Sequence, residues 1–104
     1  MHDGDALQRR VRVRIEGRVQ GVGFRYWTQT TAIGLGLRGW VRNRRDASVE
    51  TVFVGAAGVV DAMLARCREG PNGAGVLAVT IIDTDHATAA DLGAFSGFEI
   101  RPTV

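Results

Sequence analysis

The stretch Gly17-Arg18-Val19-Gln20-Gly21-Val22-Gly23-Phe24-Arg25 joins two closely spaced glycines to a terminal arginine. It follows a strand-like run and opens a helix-like one. A loop entering a helix N-terminus presents unpaired backbone N–H groups and the positive end of the helix dipole. Together these make a ready anion site. Gly21 and Gly23 allow backbone angles that side chains forbid. The consecutive N–H groups of Gln20, Gly21, Val22, Gly23, Phe24 and Arg25 can therefore turn inward as an anion nest. The Arg25 guanidinium adds a planar fork of donors suited to phosphate. Taken alone, the loop also fits a glycine-rich turn that serves only packing, with Arg25 solvated.

A second polar group follows at Asn43, the end of the short run Gly39-Trp40-Val41-Arg42. Asparagine at a strand end is commonly a turn residue. Its amide can also hold a water molecule by donating and accepting together. The residue by itself leaves both readings open.

The elements that must position these groups are legible from periodicity. Residues 1–8 read as a flexible lead-in and 9–104 as one domain, a size that suits a single core. Arg9 to Glu16 alternates, with Val11, Val13 and Ile15 on one side and arginines and Glu16 on the other. This predicts a half-buried strand, in a sheet with one covered and one wet face. Phe24, Thr28, Ala32 and Leu35 form one helical stripe, with a stop signal at Gly34 and Gly36. Gly39–Asn43 and Ser48–Val54 form a hairpin about the turn 43–47. Ala56–Glu69 is a second helix, ended by Gly70-Pro71-Asn72-Gly73. Val76–Thr84 is a fourth strand, the polar connection 85–94 stays unassigned, and Phe98–Arg101 is a last short strand. The expected fold is α+β, a ferredoxin-like split β-α-β sandwich in βαββαβ order with an added C-terminal strand. Two helices would cover one face of an antiparallel sheet. That fold serves many functions, so function must come from the site.

Composition sets outer bounds. With 45% hydrophobic and 23% charged residues, the 104-residue chain reads as ordinary globular protein. All thirteen basic residues are arginine, which rules out a lysine Schiff base and a lysine-dependent P-loop. Cys67 is the single cysteine, so no internal disulfide can form, which suits a reducing compartment. No apolar run reaches the roughly 18 residues of a membrane span. Met1-His2-Asp3-Gly4-Asp5 lacks a signal-peptide core. A cytoplasmic location, no membrane partner and a monomeric state are the expectations.

Residues 17–25 together with Gly39-Trp40-Val41-Arg42-Asn43 resemble the two signature segments of the acylphosphatases. The likeness extends through Leu35-Gly36-Leu37, Gly70-Pro71, Gly73-Ala74 and Phe95-Ser96-Gly97-Phe98-Glu99-Ile100-Arg101, and so runs from about Val11 to Arg101. It implies hydrolysis of the carboxyl–phosphate bond of acyl phosphates to a carboxylate and inorganic phosphate. It implies phosphate in the Gln20–Arg25 loop, the Arg25 guanidinium on its oxygens and Asn43 on the attacking water, with no metal or organic cofactor. A carboxylate is a good leaving group that needs no general acid. A few positions depart from the family pattern. Ala47 stands where the hairpin often has glycine, which puts the turn and the aim of Asn43 in question. Arg44 and Arg45 add charge at the hairpin tip, as solvated groups or as attractors of an anion. Cys67 replaces a larger apolar helix residue and reads as a small buried hydrophobe.

Other motifs are set aside on context. Gly34-Leu35-Gly36-Leu37-Arg38-Gly39 matches a dinucleotide fingerprint but ends a helix instead of opening one. Asp83, Asp85 and His86 lack a second ligand cluster and read as polar loop residues, so no metal is expected. Arg10, Arg12 and Arg14 lack the interleaved aromatics of a nucleic-acid face. A non-catalytic phosphate-binding or regulatory module is the main alternative, although such a module has no use for Asn43. A short chain beginning with Met1 suggests a free-standing enzyme, not the acylphosphatase-like unit of a larger carbamoyl-transfer protein.

Overall fold

The computed structural model describes residues 7–104. Its elements are β1 (Gln8–Arg18), α1 (Phe24–Gly34), β2 (Arg38–Asn43), β3 (Val49–Ala56), α2 (Ala57–Cys67), β4 (Gly75–His86), α3 (Ala89–Ala94) and β5 (Phe98–Ile100). The strands form one sheet in the order β4-β1-β3-β2-β5. The first four make the expected ferredoxin-like core, all antiparallel, whereas β5 joins β2 in parallel and makes the sheet mixed.

Residues 1–6 of the expected lead-in lie outside the described residues. Gln8 already belongs to β1 and pairs with Ala56.

The alternation of β1 carries Val11, Val13 and Ile15 into the main core, each fully buried. They meet Phe24 and Ala32 of α1 and Val60, Met63, Leu64 and Cys67 of α2. Burial of each such side chain contributes about 1.5–3 kcal/mol. Thr28 sits inside this stripe because its hydroxyl donates to the Phe24 carbonyl at 2.8 Å. Helix α1 stops where Gly36 takes φ +74°, with Leu37 N–H returning to the Ala32 carbonyl at 2.9 Å. The glycines of the apparent dinucleotide motif thus end a helix and lead into β2.

The expectation of a wet second face is corrected. Trp40, Val52 and Val54 form a second small core there, packed against Ala87, Leu92 and Phe95. The cover is α3, in the connection left unassigned by periodicity. Its signal is a capping box, in which Thr88 Oγ1 accepts from Asp91 N–H and Asp91 accepts from Thr88 N–H. Strand β3 is therefore buried on both faces from Val49 to Gly55. Strand β4 is different. It is an edge strand, largely exposed, and Leu77 keeps 86% of its surface in solvent.

Two backbone positions have opposite needs. A Cβ on Gly39 would lie 1.9 Å from the Val52 carbonyl oxygen, so the β2–β3 ladder closes only around glycine. Ala47 holds φ +76° in the hairpin turn, a conformation that costs an L-residue about 1 kcal/mol or more. The turn keeps its shape through Arg44 N–H to the Ser48 carbonyl (2.9 Å) and Ala47 N–H to the Arg44 carbonyl (3.1 Å). Asp46 holds it further by accepting from Ser48 N–H at 3.0 Å and the Ser48 hydroxyl. Urea unfolding should show the two signs. Ala47→Gly is expected to gain about 0.5–1 kcal/mol, and Gly39→Ala to lose about 3 kcal/mol or more.

Candidate active site

Strand register brings the two candidate segments together. Strands β1 and β2 both run antiparallel to β3, so they are parallel to each other and end at the same edge of the molecule. Val49, the first residue of β3, pairs with Ile15 on one side and with Asn43 on the other. At about 4.8 Å per strand, Asn43 and Ile15 stand roughly 10 Å apart. The loop that leaves β1 folds back across that gap.

Val19, Gln20, Gly21, Gly23, Phe24, Arg25, Tyr26 and Asn43 line one pocket of about 240 Å³. All the expected site residues except Val22 are in this lining. The half-buried Val22 side chain packs against the main core. Gly21 and Gly23 adopt φ +75° and +77°, with open space where a Cβ would stand. Their role in the loop is backbone curvature, not close approach. Gly23 is the N-cap of α1, no side chain caps the helix, and no acidic residue lies in its first turn. The first-turn N–H groups therefore have no internal acceptor. Arg25 is half-exposed and forms no ion pair among the described residues.

Asn43 faces this cationic cradle from the end of β2. Its main chain is fixed by the β3 ladder and by Val104 N–H, which donates to the Asn43 carbonyl at 3.2 Å. Its side-chain Oδ1 is buried and has no hydrogen-bond partner among the described residues. A buried acceptor left open costs roughly 1–3 kcal/mol, and here it belongs to a residue lining the loop pocket.

Behind Asn43, on the opposite face of the sheet, lies Glu50, with its side chain 1% exposed. Arg42 Nε donates to it at 2.7 Å, Arg44 Nη1 at 3.1 Å and Arg12 Nε at 2.5 Å. Burial works to raise the Glu50 pKa. Hydrogen bonds from Arg42 and Arg12 and the attraction of both charges outweigh it and hold the carboxyl below 4.5. The two residues flanking Asn43 are thus bound to one carboxylate. Arg44 is not available as a free attractor of substrate, and Arg45 anchors the C-terminus through its N–H to the Val104 carbonyl at 2.7 Å.

Sequence reasoning missed two members of this region. Tyr26, a residue 70% exposed, also lines the pocket; the signal was an aromatic off the apolar stripe of α1. The Gln20 side chain, considered only for its backbone, donates from Nε2 to the Arg44 and Ser48 carbonyls, both at 2.8 Å. The residues set aside are placed elsewhere. Asp83 and Asp85 sit opposite Arg12 and Arg10 in the β1–β4 ladder, and Asp83 pairs with Arg10 at 3.6 Å. Cys67 is buried in the core, and burial pushes its thiol up to about 12. A larger hollow of about 330 Å³ lies at the far end of β1, where Arg9 is already paired with Asp61.

The family model for acylphosphatase matches residues 11–100 of the chain. An acylphosphatase of Nitrobacter hamburgensis is 66% identical over 65 residues, covering 62% of the chain and 66% of that protein. One of Bradyrhizobium diazoefficiens is 47% identical over 97 residues, covering 90% of the chain and 95% of that protein. The crystal structure of an acylphosphatase from Bacillus subtilis superposes with a TM-score of 0.81 at 29% identity, covering 89% of the chain and 98% of that structure.

Glu50→Gln tests the clamp behind Asn43. At neutral pH the variant should be about 2 kcal/mol less stable in urea unfolding. The folded-state pKa of Glu50 is depressed, so its contribution is full above 4.5 and lost as pH falls through the lower folded value. The difference between wild type and variant should shrink over that acid range.

Proposed function

The chain belongs to the acylphosphatase family and carries that family's hydrolase activity, and we propose that it cuts the carboxyl–phosphate bond in the pocket between the Gln20–Arg25 loop and Asn43. The observation that carries this assignment is the meeting, in one pocket, of a helix N-terminus, an arginine and an amide oxygen that have no side-chain cap, ion pair or hydrogen-bond partner among the described residues.

In this reading the substrate phosphate lies in the loop, its oxygens taking hydrogen bonds from the N–H groups of Gln20 to Arg25. The Arg25 guanidinium closes the cradle and neutralises charge on the equatorial oxygens. The Asn43 side-chain amide holds the attacking water and aims its oxygen at phosphorus, opposite the acyl group. The new P–O bond forms as the phosphorus–acyl oxygen bond breaks, and the carboxylate leaves with the electron pair. A phosphate oxygen of the substrate takes the water's proton, because an asparagine cannot. No general acid is needed for a carboxylate leaving group, and the loop with Arg25 supplies the charge that a metal would otherwise bring. Action as a monomer is part of this reading, because the loop and Asn43 meet through the register of one chain's own sheet. The single reduced Cys67 suits the cytoplasm. Among the described residues no helix is long and apolar enough to cross a membrane.

Hydrolysis of benzoyl phosphate by the purified protein is the direct assay. Arg25→Ala should lower kcat by about 10³-fold and weaken inhibition by inorganic phosphate. Asn43→Ala should lower kcat by about 10²-fold or more while keeping phosphate affinity. Activity is expected to persist in chelator. An active Arg25→Ala enzyme, or equal loss of turnover and phosphate binding in Asn43→Ala, would overturn these roles.

A further inference from the structure

The two halves of the pocket belong to different parts of the chain, and the backbone ladder leaves them joined only through β3. The loop departs from β1 after Arg18, whereas Asn43 ends β2. One side chain crosses directly between them. Gln20 Nε2 donates to the Arg44 carbonyl and to the Ser48 carbonyl, each at 2.8 Å. The Arg44 carbonyl is the next one after that of Asn43, and the Ser48 carbonyl also receives Arg44 N–H, which closes the hairpin. The Gln20 amide therefore uses both its hydrogens to span the mouth of the turn that carries Asn43. No shorter side chain at this position reaches both carbonyls, and glutamate would face them with acceptors only.

We propose that the Gln20 side chain is a positioning residue that sets the separation between the phosphate cradle and the water held by Asn43. The inference rests on the roles given above to the loop and Asn43. Its physical content is distance. Reacting atoms must sit about 3–3.5 Å apart, and a misplacement of 1 Å can cost about 10²-fold. The Ala47 turn holds a positive φ without glycine, so the hairpin tip stores strain in the segment that must hold still. The Gln20 bridge opposes that strain from the loop side, as Glu50 does from the outer face through Arg42 and Arg44. Glu50 holds side chains that flank Asn43, whereas Gln20 ties the hairpin to the phosphate loop by side-chain hydrogen bonds.

Gln20→Leu is shorter by one atom and removes both donors. It should lower kcat on benzoyl phosphate by about 10- to 100-fold while the inhibition constant of inorganic phosphate changes less than about threefold. Because Gln20 acts through Asn43, the double variant Gln20→Leu/Asn43→Ala should be no slower than Asn43→Ala. Gln20→Glu, which also lacks the donors, serves the same cycle if the leucine variant does not fold by circular dichroism. Wild-type kcat in the single variants, matched loss of phosphate affinity, or fully additive losses in the cycle would overturn the proposal. An active Asn43→Ala enzyme would instead overturn the reading of Asn43 itself.

Discussion

Everything at the pocket depends on one register. Val49 pairs with Ile15 of β1 and Asn43 of β2 at the same level of the sheet. Strands on either side of a common antiparallel partner run the same way, so β1 and β2 finish together. The glycine loop and the amide then meet without any long excursion of the chain. A slip of one residue in the β2–β3 ladder would turn Asn43 to the opposite face of the sheet, and one in the β1–β3 ladder would shift the loop away from it. The Gly39 position guards against this, since only a residue without Cβ lets β2 lie against Val52 at that level.

The face away from the pocket supplies rigidity of a different kind. Arg12, Arg42 and Arg44 converge on one buried carboxylate, and the guanidinium groups of Arg42 and Arg101 lie over the Trp40 ring at 4.7 and 4.9 Å from its centre. Ions taken from water need full compensation, and Glu50 has it. The all-arginine composition, uninformative as a count, acquires meaning here. Planar guanidinium groups can stack on an indole and share a carboxylate in ways that lysine cannot.

Much of this was legible in the sequence because local and global signals agreed. The alternation of Val11, Val13 and Ile15 and the stripe of Phe24, Thr28 and Ala32 each stated which side faces the core. The two motif segments, read as a pair, located the pocket. What escaped did so for identifiable reasons. The second core around Trp40 is assembled from residues of three separate elements, none with a strong period of its own, and α3 has too few residues to show one. Its capping box at Thr88 and Asp91 was the available clue. The reach of the Gln20 amide to carbonyls 24 and 28 residues away is a tertiary fact, with no sequence pattern to announce it. Ala47 raised a question about the turn that the backbone resolves by adopting the glycine-like angle at some cost.

Strand β4 has a consequence beyond the pocket. At the other sheet margin β5 is three residues long, but β4 offers twelve, without proline or lysine, and with Leu77, Ile81 and Ile82 turned partly to solvent. Such a margin is a template for pairing with any extended chain of like kind. With a formal net charge of only +2, long-range repulsion between copies is weak. The outer row of β4 is therefore a margin where extended chains can pair, and its Leu77 end lacks the carboxylates that Asp83 and Asp85 place at the other end.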